Sequence, residues 1–260
     1  MGVRIVWMHD LSEHATHAEG AVGALGRLLE ADVILAHATG PGGAVRAVRP
    51  KEVLAPIAQR LRDDDVPCEI CLEATQPEEA AVALARREAP DLMVISSTRV
   101  QGLDRFLVGS TARRILRAVP GSVLVANDTA FHSLSSVLVA IDVDHPDGAA
   151  IRWAARLARH GARVTALTVL PPGASVAELA EVTGRMRTYV EHVLGTHFPA
   201  NWMVRPVSAK TAQAGILSAA EGHDLVVLTT HGRTGLSRFL EGSVAEKLVS
   251  ACPASVLVAR

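Results

Sequence analysis

Residues 231–248 of this 260-residue chain read "HGRTGLSRFLEGSVAEKL", and residues 99–116 read "RVQGLDRFLVGSTARRIL". When residues 91–126 are placed over 224–259, 18 of the 36 positions are identical. The chain is therefore a tandem duplication, and each half has the length of an ordinary domain. We predict one domain over 1–130 and a second over 134–260, joined by the polar linker "NDTAFHSLSS" at 127–136.

Both halves alternate short runs of β-branched and aliphatic residues with amphipathic stretches. In the first half the predicted strands cover 3–9, 31–38, 67–73, 91–97 and 122–127. Its predicted helices run from beyond Asp10 to about Glu30, over 50–64, over 77–88 and onward from Gly109-Ser110. In the second half the predicted strands cover 136–142, 163–170, 202–209, 224–230 and 255–260. Its predicted helices lie near 147–160, 174–196, 211–221 and 244–251.

The strands are continuous runs of Val, Leu and Ile, which is typical of a parallel sheet covered on both faces. Right-handed crossovers between such strands produce a doubly wound α/β fold. We therefore predict two doubly wound α/β domains in tandem, each with a parallel sheet. In such sheets ligands bind at the carboxyl ends of the strands.

The composition excludes several classes of function. A formal net charge of −1 and an aromatic content of 3% argue against nucleic-acid binding, which needs a basic surface or stacking platforms. No apolar run approaches the length of a membrane span. The apolar run near the N-terminus is too short for a signal peptide. We expect a cytoplasmic protein that contacts neither nucleic acid nor membrane.

The three cysteines do not form a disulfide framework. Cys68 and Cys71 in "CEIC" are spaced like a metal or redox pair. They lie on a predicted strand, however, where side chains three residues apart point to opposite faces. The acidic run 62–65, "RDDD", precedes Val66-Pro67 as a turn into that strand. No HExxH, Walker or Gly-x-Ser-x-Gly motif occurs, so we expect no metal site and no catalytic nucleophile.

Polar and glycine residues gather where the strands of the second half end. Asp142 follows the first strand, and a carboxylate can accept two hydrogen bonds from a ribose. Residues 229–232 follow the fourth strand and end in Gly232, which lets the backbone approach a ligand closely. Gly242-Ser243 then opens the last helix, and its free N–H groups and dipole favour a phosphate. Taken singly, Ser243 could be only a helix cap and Asp142 only a turn residue.

These residues resemble the universal stress protein family, and the resemblance covers nearly the whole chain. Its nucleotide-binding members carry Gly-x2-Gly-x9-Gly-(Ser/Thr) after the fourth strand and an Asp after the first. The second half matches at Gly232, Gly242, Ser243 and Asp142, and departs from the pattern only at Thr229. The resemblance implies a site for an adenine nucleotide (ATP, ADP or AMP), with Mg²⁺ as a candidate companion ion. The site residues it implies are Asp142, Val169 (whose backbone would contact adenine), Thr229, His231, Gly232, Gly242, Ser243 and Val244.

The first half matches the family pattern less well. It reads Ser96-x2-Arg99-x9-Gly109-Ser110, with Asp10 after its first strand, so both early glycines are absent. Arg99 would either obstruct the phosphate position or hold a phosphate from the side through its guanidinium group. We expect obstruction, because a long side chain replaces a close backbone approach, and we predict that the first half is a degenerate site.

Three functions fit this sequence. The first is a module that binds nucleotide in its second domain as a stress signal. The second is a slow ATPase, for which Asp144 and His231 are the candidates near a γ-phosphate. The third is an interaction protein without nucleotide. The apolar last strands "SVLVAN" and "SVLVAR" predict an intramolecular pseudo-dimer through those edges, and the family resemblance implies a further homodimer.

Overall fold

The computed structural model describes residues 2–40, 49–99, 106–107, 109–127, 131–144, 147–229 and 244–260. The chain divides into two compact units, Met1–Ser133 and Leu134–Arg260. The division falls inside the polar segment 127–136, where the composition predicts a linker.

The first unit alternates strands and helices along the chain. Its strands are β1 (Val3–Met8), β2 (Ala31–Ala38), β3 (Cys68–Glu73), β4 (Leu92–Ser96), β5 (Thr98–Arg99), β6 (Phe106–Leu107) and β7 (Ser122–Ala126). Its helices are α1 (Glu13–His17), α2 (Glu19–Leu29), α3 (Pro50–Asp63), α4 (Pro77–Glu88) and α5 (Ser110–Ala118). Five of the strands form a parallel sheet in the order β7-β4-β1-β2-β3.

The second unit repeats this plan. Its strands are β8 (Ser136–Ala140), β9 (Arg163–Leu170), β10 (Trp202–Ser208), β11 (Leu225–Thr229) and β12 (Ser255–Ala259). Its helices are α6 (Ala149–Ala158), α7 (Val176–Leu194), α8 (Ala212–Ala220) and α9 (Val244–Ala251). The parallel sheet has the order β10-β9-β8-β11-β12. Each unit therefore has the doubly wound α/β architecture that the strand pattern predicts.

The sheets are buried on both faces, because consecutive residues along a strand point to opposite sides. Val137, Leu138 and Val139 are successive residues of β8, and all three are fully buried. In the first unit the same holds for Ile5, Val6 and Trp7. Continuous apolar runs thus correctly predicted central strands of parallel sheets.

Two local features differ from the sequence prediction. The helix expected to reach about Glu30 is two helices, because Ala18 ends α1 and precedes α2. The side chain of Ser12 accepts a hydrogen bond from the amide of Ala15 and so caps α1. The second difference is the two-residue antiparallel pair of β5 and β6, which lies apart from the main sheet. Strands this short leave no periodic pattern.

Among the residues that the structure describes, no helix combines the length and the apolar character needed to cross a bilayer.

Candidate functional site

The second unit has one point where its strand order reverses. The chain leaves β8 toward β9 on one side and later returns to β11 on the other. In doubly wound sheets the ligand crevice lies outside the carboxyl ends of the two strands at such a point. Asp142 follows β8, and Thr229 is the last residue of β11. The two residues that the sequence selected therefore flank the reversal point.

Val169 extends this group to a third neighbouring strand. It is the penultimate residue of β9 and is half-buried, and β9 pairs with β8. Neighbouring strands lie about 4.8 Å apart, so the three strand ends span roughly 10 Å. That width matches a nucleoside better than a single ion. The structure thus places Asp142, Val169 and Thr229 at the carboxyl ends of three neighbouring strands.

The Asp142 carboxylate is presented at the edge of the sheet by local hydrogen bonds. The amide of Ile141 donates to the carbonyl of Leu167 at 2.8 Å, which continues the strand pairing as far as Asp142. The Asp142 side chain is exposed, and its Oδ1 accepts the amide of Asp144 at 3.0 Å. A short polar side chain that accepts a main-chain amide two residues on is typical of a tight turn after a strand.

Asp144 itself is engaged with helix α7. Its Oδ1 lies 2.8 Å from Nη2 of Arg185, and the same guanidinium group also donates to the carbonyl of Val143 at 3.4 Å. Both side chains remain substantially exposed, so this ion pair is a weak electrostatic contact. A groove of about 470 Å³ lies beside it, lined by Val143, Arg185, Thr188, Tyr189 and His192.

Four of the predicted phosphate-side residues, His231, Gly232, Gly242 and Ser243, lie outside the described residues. Val244 is the first residue of α9 and is 41% exposed. In the first unit the corresponding helix start lies within the described residues. There Gly109 is the N-cap of α5 and Ser110 is its first residue, with both residues exposed. Among the described residues, no atom would lie within 4 Å of a Cβ built on Gly109.

The strand register shows that Asp10 and Asp142 are equivalent. Ile5 of β1 pairs with Leu92 of β4, and Val137 of β8 pairs with the repeat equivalent of Leu92, Leu225 of β11. Asp10 lies five residues beyond Ile5, and Asp142 lies five residues beyond Val137. The two aspartates thus occupy the same position relative to the reversal point.

In the first unit, Asp10 and Ser96 form hydrogen bonds with α1 and with the residue that caps it. Oδ1 of Asp10 accepts the amide of Ser12 at 3.0 Å and its hydroxyl at 2.6 Å. Ser96, at the end of β4, donates its hydroxyl to the carbonyl of Ala15 in α1 at 3.5 Å. Helix α1 therefore packs over the carboxyl end of β4, where the second unit has Thr229.

In the first unit a buried polar cluster around His9 adjoins Asp10. His9 is 3% exposed and contacts Trp7 edge to face, with ring centroids 5.1 Å apart. Nδ1 of His9 accepts the amide of Leu11 at 3.0 Å, and its carbonyl accepts Nδ1–H of the buried His37 at 2.7 Å. Leu11 has a φ of 66°, an uncommon conformation for a leucine. Burial is the main cause that lowers the pKa of His9 to about 4, so the ring is neutral at pH 7.

Arg99 lies in β5, where its backbone pairs with Phe106. Its side chain is outside what the structure describes, so obstruction and phosphate binding by Arg99 both stay hypotheses.

Cys68 and Cys71 lie on β3, as predicted. The Sγ of Cys71 contacts the side chains of Arg87 and Glu73, and the Cys68 thiol lies 3.9 Å from the carbonyl oxygen of Glu69. Burial raises the pKa of Cys68 to about 11 and also raises that of Cys71. Within the described ranges, no three His, Cys, Asp or Glu residues form a group able to hold a metal ion.

The comparisons with known proteins agree with this architecture. The model of the universal stress protein family matches residues 3–127 and 203–260, and the chain belongs to that family. A universal stress protein from Mycolicibacterium smegmatis is 29% identical over 185 residues, which cover 66% of this chain and 63% of that relative. The chain thus matches less than two thirds of this relative's length.

Two solved structures share the fold over almost the whole chain. A universal stress protein from Archaeoglobus fulgidus has a TM-score of 0.77 at 17% identity and covers 99% of this chain and 98% of its own. A putative universal stress protein from Pseudomonas aeruginosa has a TM-score of 0.68 at 19% identity, with 98% and 92% covered.

The sequence analysis did not predict α1 or its hydrogen bond with Ser96 at the carboxyl end of β4. The spacing Asp10-x-Ser12 just before a helical run is typical of a capped helix start and could have predicted α1. The ion pair between Asp144 and Arg185 had no such signal, because it joins residues 41 positions apart.

Proposed function

We propose that this universal stress protein binds an adenine nucleotide at the carboxyl edge of its second unit and acts as a nucleotide-dependent stress signal. The observation that carries the proposal is the convergence of Asp142, Val169 and Thr229 at the reversal point of the sheet. A carboxylate suits the ribose hydroxyls, and the strand end at Val169 offers backbone groups to a base. The glycines at 232 and 242 and the hydroxyl of Ser243 complete the phosphate side in the family pattern.

The first unit supports the assignment of this site to the second half. Its equivalent carboxylate, Asp10, already accepts two hydrogen bonds from Ser12, and α1 packs where Ser96 ends the fourth strand. A nucleotide would have to displace these contacts.

The ATPase alternative has less support. Of the two candidates for a general base, Asp144 lies within the described residues, and it is paired with Arg185 at 2.8 Å. A role as base would require that ion pair to open. Nucleotide binding as a signal needs no such step. We also propose that the protein acts in the cytoplasm, and the predicted pairing of the two last strands and the homodimer remain predictions.

The direct test is the identity of small molecules released when the purified protein is denatured, followed by ATP titration of the Asp142→Ala variant. A hydrogen bond to a charged group contributes about 1.5–3 kcal/mol, so this variant should bind about tenfold to a hundredfold more weakly. Asp10→Ala is the matched control and should bind like the wild type. If the protein releases no nucleotide and has no measurable affinity for ATP, the proposal is wrong.

A further inference from the structure

Gly215 lies in the interior of α8, where glycine is unfavourable. A glycine in a helix interior destabilises it relative to alanine, so its presence in an ordinary helix calls for a reason. Gly215 is buried, and α8 packs against β9. Its amide donates to the carbonyl of Thr211, so the helix backbone is regular at this position. A special backbone angle therefore does not explain the glycine.

The reason is the side chain of Val169. A Cβ atom built on Gly215 would lie 2.7 Å from Cγ2 and 2.8 Å from Cγ1 of Val169, and 3.3 Å from Cβ of Ala209. Both methyl groups are too close, and valine has few rotamers with which to move them away. An alanine at position 215 would therefore push the end of β9 and the helix apart.

Of the two units, only the second has a bulky side chain at the strand position of Val169. Ile5 pairs with Val33 in the first unit, and Val137 pairs with Val164 in the second. Ala38 lies five residues beyond Val33, and Val169 lies five residues beyond Val164. The strand end that faces the proposed base therefore carries a valine only in the unit with the near-complete nucleotide motif.

We infer that Gly215 is a positioning residue for nucleotide binding: by lacking a Cβ it lets Val169 pack into α8 and fixes the carboxyl end of β9 where the base would lie. This inference rests on the proposed function. It concerns packing behind the site, and Gly215 itself contacts no ligand. The binding groups at this strand end are backbone atoms, whose position follows directly from that packing.

The experiment measures ATP affinity by calorimetry for Gly215→Ala, Val169→Ala and the double variant, with folding checked by circular dichroism. Gly215→Ala should weaken ATP binding about tenfold, because overpacking shifts the strand end. The double variant removes both clashing methyl groups and should recover most of the affinity lost by Gly215→Ala. It also keeps the test decisive if Gly215→Ala alone folds poorly.

Two glycines supply matched controls. No atom of the described part of the chain lies within 4 Å of a Cβ built on Gly184 in α7, so Gly184→Ala should raise the melting temperature and leave ATP affinity unchanged. Gly26 in α2 has the same kind of clash, 2.6 Å and 3.0 Å from the methyl groups of Val66, but in the first unit. Gly26→Ala should lower stability without changing ATP affinity.

The outcomes separate this inference from the proposed function. Wild-type protein that does not bind ATP contradicts the proposed function itself. Wild-type protein that binds ATP while folded Gly215→Ala binds equally well overturns the positioning role. The role is also overturned if Gly26→Ala weakens binding as much as Gly215→Ala, or if the double variant recovers none of the lost affinity.

Discussion

The carboxylate of Asp224 accepts the amide of Ser136 at 2.9 Å, which ties the start of β11 to the start of β8. Asp91 accepts the amide of Arg4 at 3.0 Å at the equivalent position of the first unit. The aspartate that is identical in the two repeats thus makes the same contact twice, at the amino edge of each sheet. This edge is opposite the proposed nucleotide site. The contact that each repeat makes within itself therefore stabilises the fold.

Replacing Asp224 should destabilise the second unit. Its Oδ2 accepts four hydrogen bonds, from the amides and hydroxyls of Ser135 and Ser136. Asp224→Ala should lower the free energy of unfolding by about 2–3 kcal/mol, since a charged hydrogen-bond group is removed. Urea denaturation measures this, and Glu181→Ala, an exposed carboxylate on α7, should change stability by less than about 0.5 kcal/mol.

The same contact predicts a pH dependence with a definite sign. Partial burial acts to raise the pKa of Asp224, but the hydrogen bonds from Ser135 and Ser136 outweigh it and lower the pKa overall. Its contribution to stability is complete above the ordinary aspartate value and is lost as pH falls through the lower folded value. Equal stability losses in wild type and Asp224→Ala between pH 5 and pH 3 would contradict this prediction.

His9 predicts a second pH dependence at higher pH. Its pKa is lowered from 6.5 to about 4, mainly by burial, so below pH 6.5 the unfolded chain binds a proton that the folded chain excludes. Stability should fall by up to about 3 kcal/mol as pH drops from 6.5 to 4.

The second unit supplies the control substitution for His9. Ile141 lies four residues beyond Val137, as His9 lies four residues beyond Ile5, and it is buried. His9→Ile should therefore flatten the pH dependence of the unfolding free energy between pH 6.5 and pH 4. A variant that retains the full wild-type slope would rule out His9 as its source.

The cysteines should be unreactive in the folded protein. Burial raises the pKa of Cys68 and Cys252 to about 11 and also raises that of Cys71. Because the thiolate is the reacting species, alkylation by iodoacetamide at pH 8 should be slow in the native state and rapid in denaturant. Elemental analysis should also find no stoichiometric zinc. Rapid native alkylation of Cys68, or zinc that is lost in Cys68→Ser, would contradict the structural role.

The sequence predicted most of the fold because its strands and helices are long and regular. The bounds of α4 and β9 match the predictions residue for residue, since each is a continuous pattern between clear breaks. Asp142 and Thr229 could be selected because the carboxyl ends of parallel strands follow from strand order. The hydrogen bond between His9 and His37 could not be predicted, because it joins buried residues that lie 28 positions apart in the sequence.

The central claim is that the second unit binds nucleotide and the first does not. Calorimetric titration with ATP tests it most directly, with wild type and Gly232→Arg, which copies the arginine of the first half into the second. We predict one site per chain in the wild type and no measurable binding in a folded Gly232→Arg protein. Two sites per chain, or a Gly232→Arg variant that binds ATP normally, would show that the nucleotide has been assigned to the wrong half.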